Sequence, residues 1–374
     1  NLQDEIFRTA ITQNYHLAAT GGTAKTSYYA SGSFINQNGI VLNNKLSRGT
    51  FKLNLDHQLV KFLKVGTAVA YDKWSDIDVP ENQRNGVISR LYTTLPNIGI
   101  RDADKPEEYA RSPFINDLEN PVSTVYQPDH KFSTSRVHGN VYAESEVATG
   151  LKLKSLLGFE KSNGLFTSFQ DSVQTRYGQS LKGLAAENTY DYNYWISENT
   201  ANFVTNFNQH NVALMGGFIA SRQTNDNLYK SSHDFTGAPD NSVESGNVKA
   251  TPYSDFAQQS HVAAIGRLNY SYNDRYFLTS NFRADGSGQF SPEHKWGYFP
   301  SFSGGWKISQ EDFFKNVTGI DELKLRAGWG IVGNDRSRPY AWYGLVDTLR
   351  KYPIGGQNQP ALMATTLENK DLRW

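Results

Sequence analysis

Apolar and polar positions alternate along much of the chain. Phe51, Leu53 and Leu55 alternate with Lys52, Asn54 and Asp56, and Val65, Thr67, Val69 and Tyr71 with Gly66, Ala68, Ala70 and Asp72. Val262, Ala264, Gly266, Leu268, Tyr270 and Tyr272 interleave with His261, Ala263, Ile265, Arg267, Asn269 and Ser271. Leu323, Leu325, Ala327, Trp329 and Ile331 interleave with Glu322, Lys324, Arg326, Gly328 and Gly330. A period of two sends successive side chains to opposite faces of a strand. The pattern therefore predicts strands with one apolar face and one face of charge, amide and glycine.

The strands pair as hairpins. Residues 137–147 and 151–160 flank Ala148-Thr149-Gly150, residues 199–207 and 211–220 flank Asn208-Gln209-His210, and residues 261–272 and 276–285 flank Asn273-Asp274-Arg275. Much longer polar stretches alternate with these turns, over residues 73–130, 161–190, 222–257, 284–297 and 333–370. Short turns at one end and long loops at the other is the layout of an outer-membrane β-barrel. We count about 12 strands, many of about 10–14 residues, longer than the ~5–6 of globular strands and enough to cross a bilayer at a tilt. Tyr270, Tyr272, Tyr276 and Phe277 gather at one short turn, and Trp306, Phe313 and Phe314 at the next. Aromatic rings with polar tips favour the membrane–water boundary, although aromatics are common in any sheet. Helix signals are confined to residues 83–92 and 310–315.

Composition narrows the classes. The 374 residues carry 37 Lys+Arg against 37 Asp+Glu, so no basic excess points to nucleic acid. With 0 Cys, disulfide scaffolds, thiolate metal sites and cysteine catalysis are excluded. No run reaches the roughly 18–20 apolar residues of a spanning helix. The first residue is Asn1 and no leader-like run follows it. The expectation is a cleaved signal or an excerpt of a longer chain.

Several segments carry a more specific pattern. Residues 266–285 read GRLNYSYNDRYFLTSNFRAD, residues 285–290 DGSGQF and residues 296–309 WGYFPSFSGGWKIS. Residues 322–335 read ELKLRAGWGIVGND and residues 369–374 NKDLRW, while QDEIFRTA (3–10) and QNYHLAATGG (13–22) open the chain. This series resembles the SusC/RagA family of TonB-dependent outer-membrane transporters, typical of Bacteroidota. The resemblance implies an all-β antiparallel transmembrane barrel of about 22 strands with a plug inside it. It implies short periplasmic turns, long extracellular loops, a SusD-like lid lipoprotein and energy delivered through TonB. It implies oligosaccharide or peptide cargo and the outer membrane of a Gram-negative cell. Against that pattern, residues 1–374 read as a partial barrel domain of about 12 strands, with the plug, the TonB-contacting region and the C-terminal strands missing.

Catalytic and metal chemistry find little support. The eight histidines form no HExxH motif. Asp285-Gly286-Ser287-Gly288 reads as a turn, and Asp76/Asp78 and Asp102/Asp104 lack an EF-hand frame. No nucleophile elbow and no selected carboxylate pair is visible. No enzyme, cofactor or metal site is expected. Cargo would meet aromatic rings and amides. The candidates are Tyr194 and Trp195 beside Tyr190 and Tyr192, then Trp296, Tyr340, Trp342 and Tyr343. Each also has an ordinary reading in loop packing, lid contact or an aromatic girdle.

The leading expectation is a segment of a nutrient importer. Its polar face (Lys52, Asn54, Asp56, Arg267, Asn269, Lys324, Arg326) would line the lumen and its apolar face would meet outer-membrane lipid. A charge at Leu268 or Leu325 is then expected to cost about 2–4 kcal/mol near the midplane. The competing reading is a soluble or surface-attached β-rich carbohydrate-binding protein, which would bury the apolar face in a core.

Overall fold

The computed structural model describes residues 2–81, 86–113, 119–126, 129–314, 317–336 and 340–374. Strands β1 (Thr12–Gly22), β2 (Thr26–Asn38), β3 (Lys45–Val60) and β4 (Leu63–Ile77) are followed by helices α1 (Val87–Thr93) and α2 (Pro121–Tyr126). β5 (Asp129–Ala148) and β6 (Leu151–Gln170) precede α3 (Arg176–Leu181). Then come β7 (Leu184–Phe207), β8 (His210–His233), β9 (Val248–Lys249), β10 (Tyr253–Tyr272), β11 (Tyr276–Ser287) and β12 (Trp296–Lys307). β13 (Lys324–Gly330), β14 (Val346–Ile354) and β15 (Gln357–Ala364) complete the order. β1 to β13 form one 13-stranded antiparallel sheet in chain order, with the two-residue β9 attached to the side of β8. β14 and β15 form a separate hairpin. The sheet is open, with β1 and β13 at its two edges.

The short turns sit where the chain accepts positive φ. Asn208 (φ 51) turns β7 into β8, and Asn273 (φ 50) with Asp274 (φ 51) turns β10 into β11. Asn and Asp tolerate this region because their short polar side chains bond locally. Gly150 turns β5 into β6 at φ +78, and a Cβ there would collide with the Val204 carbonyl.

Strand length departs from the alternation-based expectation. β5, β6 and β10 each have 20 residues, and β7 and β8 each have 24. The long connections expected over 161–190 and 222–257 shrink to 171–183 and 234–252. The added strand ends are polar on both faces, as in the stretch Ser221 to Asn227. Water wets both sides there, so no apolar alternation marks them. Part of the 333–370 stretch likewise forms β14 and β15. Helix α1 overlaps the expected 83–92 segment, of which 83–85 lie outside the described residues. Residues 310–315 become two 3-10 turns, Ile308–Gln310 and Asp312–Phe314, with 315 outside the described residues.

Register assigns the two faces. One cross-strand row reads Leu151, Phe203, Leu214, Leu268, Ser280, Phe302 and Trp329. Another reads Leu55, Thr67, Val141 and Leu157. Lys52, Asn54, Asp56, Arg267, Asn269, Lys324 and Arg326 all have the opposite parity and share the other face. No second layer covers the apolar face among the described residues: Leu17 is 80% exposed, Leu325 59% and Phe302 50%. A sandwich would bury these side chains, so the sheet has the surface of a barrel wall. On β12 the outward set runs Trp296, Tyr298, Pro300, Phe302, Gly304 and Trp306. Ten steps of about 3.3 Å at a tilt of about 45° span roughly 23 Å, close to the ~25 Å apolar band of outer-membrane barrels.

Aromatics mark the lower boundary of that band. Phe207 stacks on His210 (4.9 Å), His210 meets Tyr272 (4.8 Å) and Tyr272 stacks on Tyr276 (6.2 Å). These side chains all face outward beside the short turns. The row ends on Glu311 in the 308–323 connection. Glu311 Oε1 accepts from Tyr276 Oη (2.6 Å) and Trp306 Nε1 (2.9 Å), and Oε2 from Arg275 Nη1 (3.3 Å).

The buried core lies at the long-loop end. Ile6, Val41, Val79, Val87, Tyr109, Val122 and Val125 pack together. This fastens Val79, Val87, Tyr109, Val122 and Val125 of the β4–β5 connection to Ile6 and to Val41 in the 39–44 turn.

Two outcomes follow. Leu268→Lys should destabilise the complete barrel in lipid vesicles by about 2–4 kcal/mol, whereas a charge at Leu325, in register with Trp306 at the boundary, should cost only about 0–1 kcal/mol. Arg326→Lys should be near neutral, and equal losses at Leu268 and Arg326 in a urea titration would contradict the facing. The hydrogen bond from Tyr276, then that from Trp306, holds the Glu311 carboxyl below its ordinary range. A lowered folded-state pKa gives stability that is present at neutral pH and lost as pH falls through that pKa. The protection factors of amides 306–314, corrected for the intrinsic pH dependence of exchange, should therefore fall in acid as the Glu311 carboxylate is protonated, and Glu311→Gln should show the lower protection already at pH 7.

Candidate functional site

The face opposite the apolar band carries a dense polar lining. Asp72 is 2% exposed and accepts from Arg48 Nη2 (2.6 Å) and Thr50 Oγ1 (2.8 Å). His138 Nδ1 stands 3.7 Å from its second oxygen. One strand further, Arg136 Nη2 binds Glu160 Oε2 at 2.8 Å. Nearer the short turns, Tyr142 donates to Asp56 (2.5 Å) while Lys64 pairs with Asp56 at 3.3 Å. Lys154 lies 4.6 Å over the Tyr142 ring. These partners come from strands β3 to β6, so the wall is cross-linked laterally by charge-assisted bonds.

Above the band the same face changes character. Tyr190, Tyr192 and Tyr194 follow one another on β7 and oppose Asn227, Asn225 and Gln223 on β8. Gln259 on β10 continues the Gln223 row. Tyr190 lies against Gly164, where a Cβ would collide with its ring, and its hydroxyl meets Thr134 Oγ1 at 2.9 Å. The glycine thus lets the ring lie flat on the wall, and the hydroxyl bond fixes its direction. Beside this ladder opens a cavity of about 610 Å³ lined by Tyr194, Glu198, His261, Arg283, Asp285 and Asp335, among others. Arg283 Nε binds Asp285 at 2.5 Å and His261 Nδ1 stands 3.3 Å from Asp335.

The sequence candidates separate by parity. Tyr194 lies on the polar face and lines the cavity. Trp195 has the opposite parity, pairs with Phe159 and Arg222, and tops the apolar band. Trp296 is likewise outward and 51% exposed. Tyr340, Trp342 and Tyr343 form one tight turn, in which Tyr343 N bonds Tyr340 O (2.9 Å) and the Trp342 and Tyr343 rings lie 3.8 Å apart. None of these three lines the cavity. The Asp72 network, the His261–Asp335 pair and the Gly164 and Thr134 partners of Tyr190 were not singled out from sequence, although Tyr190 itself was. Their only signal is shared parity across distant strands. The Asp102 carboxylate caps the backbone N–H groups of Asp104 (2.9 Å) and Lys105 (3.1 Å), which is turn chemistry.

The loops above the wall are tied to one another. Arg111 Nη1 binds Gln179 Oε1 (2.6 Å), Gln179 Nε2 binds Glu108 Oε2 (3.0 Å) and Gln174 Nε2 binds the Glu107 carbonyl (2.7 Å). Thr175 caps α3 by accepting from Gly178 N (2.9 Å).

Comparison with known proteins decides the class. No family model matches the chain. It is 29% identical over 388 residues to TonB-dependent receptor P3 of Formosa agariphila, covering 100% of this chain and 38% of that protein. It is 26% identical over 403 residues to TonB-dependent receptor SusC of Bacteroides thetaiotaomicron, covering 100% of this chain and 39% of that protein. The chain matches a barrel segment of the SusC/RagA family. Its fold superposes on a structure of the RagAB peptide transporter with a TM-score of 0.84 at 20% identity, over 99% of this chain and 42% of that one. The chain thus spans about two fifths of the SusC/RagA-type relatives it matches. TonB-dependent receptors of this kind are outer-membrane β-barrels of Gram-negative bacteria, and that membrane is this chain's location. In that setting the apolar face is the lipid face and the Asp72 wall is the lumen wall.

Replacing Asp72 by Ala should cost about 1–3 kcal/mol, because it strands the Thr50 hydroxyl and the Arg48 guanidinium. Thr50→Val, which removes one donor, should cost about 1 kcal/mol. Denaturant midpoints of the refolded barrel check both, and an Asp72→Ala barrel as stable as wild type would show that the network does not hold the wall.

Proposed function

We propose that this chain forms part of the wall of an importer that takes up a neutral, ring-rich cargo, an oligosaccharide in preference to a peptide. TonB-derived energy and a SusD-like lid lipoprotein belong to the same reading. The observation that carries it is the ladder of Tyr190, Tyr192 and Tyr194 facing Asn227, Asn225, Gln223 and Gln259 on the lumen side. Tyr194 stands 13 residues from the short-turn end of β7, about 43 Å along the strand and roughly 30 Å in height at a tilt of about 45°, just above the band. Sugar C–H faces pack on aromatic rings, and sugar hydroxyls need amide partners. The ladder's own side chains are uncharged, and the one acid opposite it, Glu160 beside Tyr194, is already paired with Arg136. RagAB is a peptide transporter by name, so a peptide remains the alternative cargo, for which the Glu198, Arg283 and Asp285 cavity would be the contact.

Of the six sequence candidates, Tyr194 is the cargo residue in this reading. Trp195 and Trp296 anchor the wall at the outer boundary, and the Tyr340, Trp342 and Tyr343 turn packs a loop. The segment is also proposed to be a partial barrel. Its open edges at β1 and β13 are completed by further strands, and a plug precedes them in the same gene product. The soluble binding-protein alternative would need the apolar face covered.

The gene read outward from the codons of Asn1 and Trp374 should show an in-frame plug upstream, more strands downstream and a neighbouring lipoprotein gene. A start codon with a signal peptide directly before Asn1 and a stop after Trp374 would overturn the importer. Within the complete receptor, Tyr192→Ala with Tyr194→Ala should reduce oligosaccharide uptake by at least tenfold, since each stacked ring contributes about 1 kcal/mol. Assembly, read by heat-modifiable migration, should be unchanged. Unaltered glycan uptake with impaired peptide uptake would favour the peptide reading.

A further inference from the structure

The lipid face is not uniformly filled. Between β3 and β6 it has a groove of about 500 Å³. Thr67, Ala143 and Ser155 supply short side chains there, among the taller Leu55, Val141 and Leu157. Register explains the shape. In the row Leu55, Thr67, Val141, Leu157 the second position is short, and in the row His57, Val65, Ala143, Ser155 the last two are short. Successive rows therefore leave a slanted trench across four strands. Ser155 does not present a free hydroxyl to it, since Ser155 Oγ donates to Asn199 Oδ1 at 2.8 Å. The surface offered to the bilayer is therefore mainly carbon. Its lower end is different. His57, bonded through Nδ1 to Thr26 Oγ1 at 2.7 Å, closes it, and the turns carrying Lys25 and Lys61 lie just beyond. Gln58 joins those turns, its backbone N–H donating to the Lys25 carbonyl (2.7 Å) and its side-chain amide to the Lys61 carbonyl (3.4 Å). Both lysines are exposed.

We infer that this groove seats one acyl chain of a phospholipid in the leaflet on the short-turn side, with its phosphate at Lys25 and Lys61. The inference rests on the membrane reading of the apolar face. Within the band, hydrocarbon is the medium that meets a carbon-lined trench. Filling it with a chain restores the dispersion contacts that the short side chains forgo. The lysines sit where snorkelling side chains reach the headgroup layer. A groove that ended among acids or in mid-band would hold chains only in passing. This one joins an apolar trench to two cations at the boundary.

The test uses the complete gene product, phosphatidylglycerol as the probe and native mass spectrometry of the detergent-released barrel. Wild type should keep one phosphatidylglycerol after stripping of bulk lipid. A filled groove, Thr67→Leu with Ala143→Leu and Ser155→Leu, should lose at least nine tenths of that adduct. Lys25→Gln and Lys61→Gln should each lower retention by roughly fivefold and leave heat-modifiable migration intact. Equal retention by the filled variant overturns the inference, as does release of wild type as a dimer whose filled variant is a monomer, which would make the groove a contact between two copies. Failure of wild type to enter vesicles at all would overturn the membrane reading along with it. Normal insertion with no retained lipid overturns the groove alone.

Discussion

The structure depends on one constraint: within hydrocarbon, every backbone N–H and C=O must be paired inside the protein. An antiparallel sheet meets it along its whole length, strand against strand from β1 to β13. Once the backbone is satisfied this way, side chains can go only to two faces, and lipid and water divide the faces between them. That division is the period of two in the sequence. The same constraint explains why the lumen side can be so polar. Asp72 with Arg48, Arg136 with Glu160, and Asp56 with Lys64 and Tyr142 bond across strands, so each charge meets a partner from a neighbouring strand. The wall is stitched by its backbone on one axis and by its polar side chains on the other.

The legibility of the fold follows from where each medium begins. Inside the band the contrast between faces is at its largest, and the turn expected at 273–275 joins β10, ending at Tyr272, to β11, starting at Tyr276. Above the band both faces are wet. The stretch Leu184–Tyr194 and the stretch Arg222–His233 then look like loop, because Asn, Thr, Asp and Tyr occupy both parities. They are strands all the same, because they continue a ladder begun below, and a started ladder extends without a new nucleus. The short helices α2 and α3 escape for another reason. With six residues each they have too few turns to show a period, and α2 is held by burial of Val122 and Val125 against Val41 and Ile6, contacts remote in sequence.

The site was legible by composition and not by direction. Tyr194 and Trp195 are neighbours in sequence and lie on opposite faces, one over the lumen and one over lipid. On β7 the outward set is Trp195, Ser197, Asn199, Ala201 and Phe203, which is not apolar enough to reveal its own parity. Only pairing with β6, where Leu151, Leu153, Leu157 and Phe159 are outward, settles it. An aromatic near a boundary is therefore ambiguous from sequence in principle, since girdle and cargo sites favour the same rings for the same amphipathic reason. Charged partners are ambiguous differently. Nothing local in Asp72 predicts Arg48, because their proximity is created by a register shared over 24 positions.

The open edges carry the argument beyond this segment. β1 and β13 each present a row of unpaired backbone groups at the height of the band, and each such group costs several kcal/mol in hydrocarbon. Charged or proline-blunted edges protect soluble sheets, but β1 runs Tyr15, Leu17 and Ala19 along its lipid face and bears no such guard. β13 shows Leu325, Ala327 and Trp329 outward and keeps its charges, Lys324 and Arg326, on the opposite face. Both edges are built as interior strands of a wall. In hydrocarbon, apolar outward residues at an edge are stable only where a ladder continues on the other side, which is the physical support for the partial-barrel reading proposed above. Closure also gives the lumen face its meaning: a polar lining has no value to an open sheet in lipid and becomes a passage when the wall meets itself.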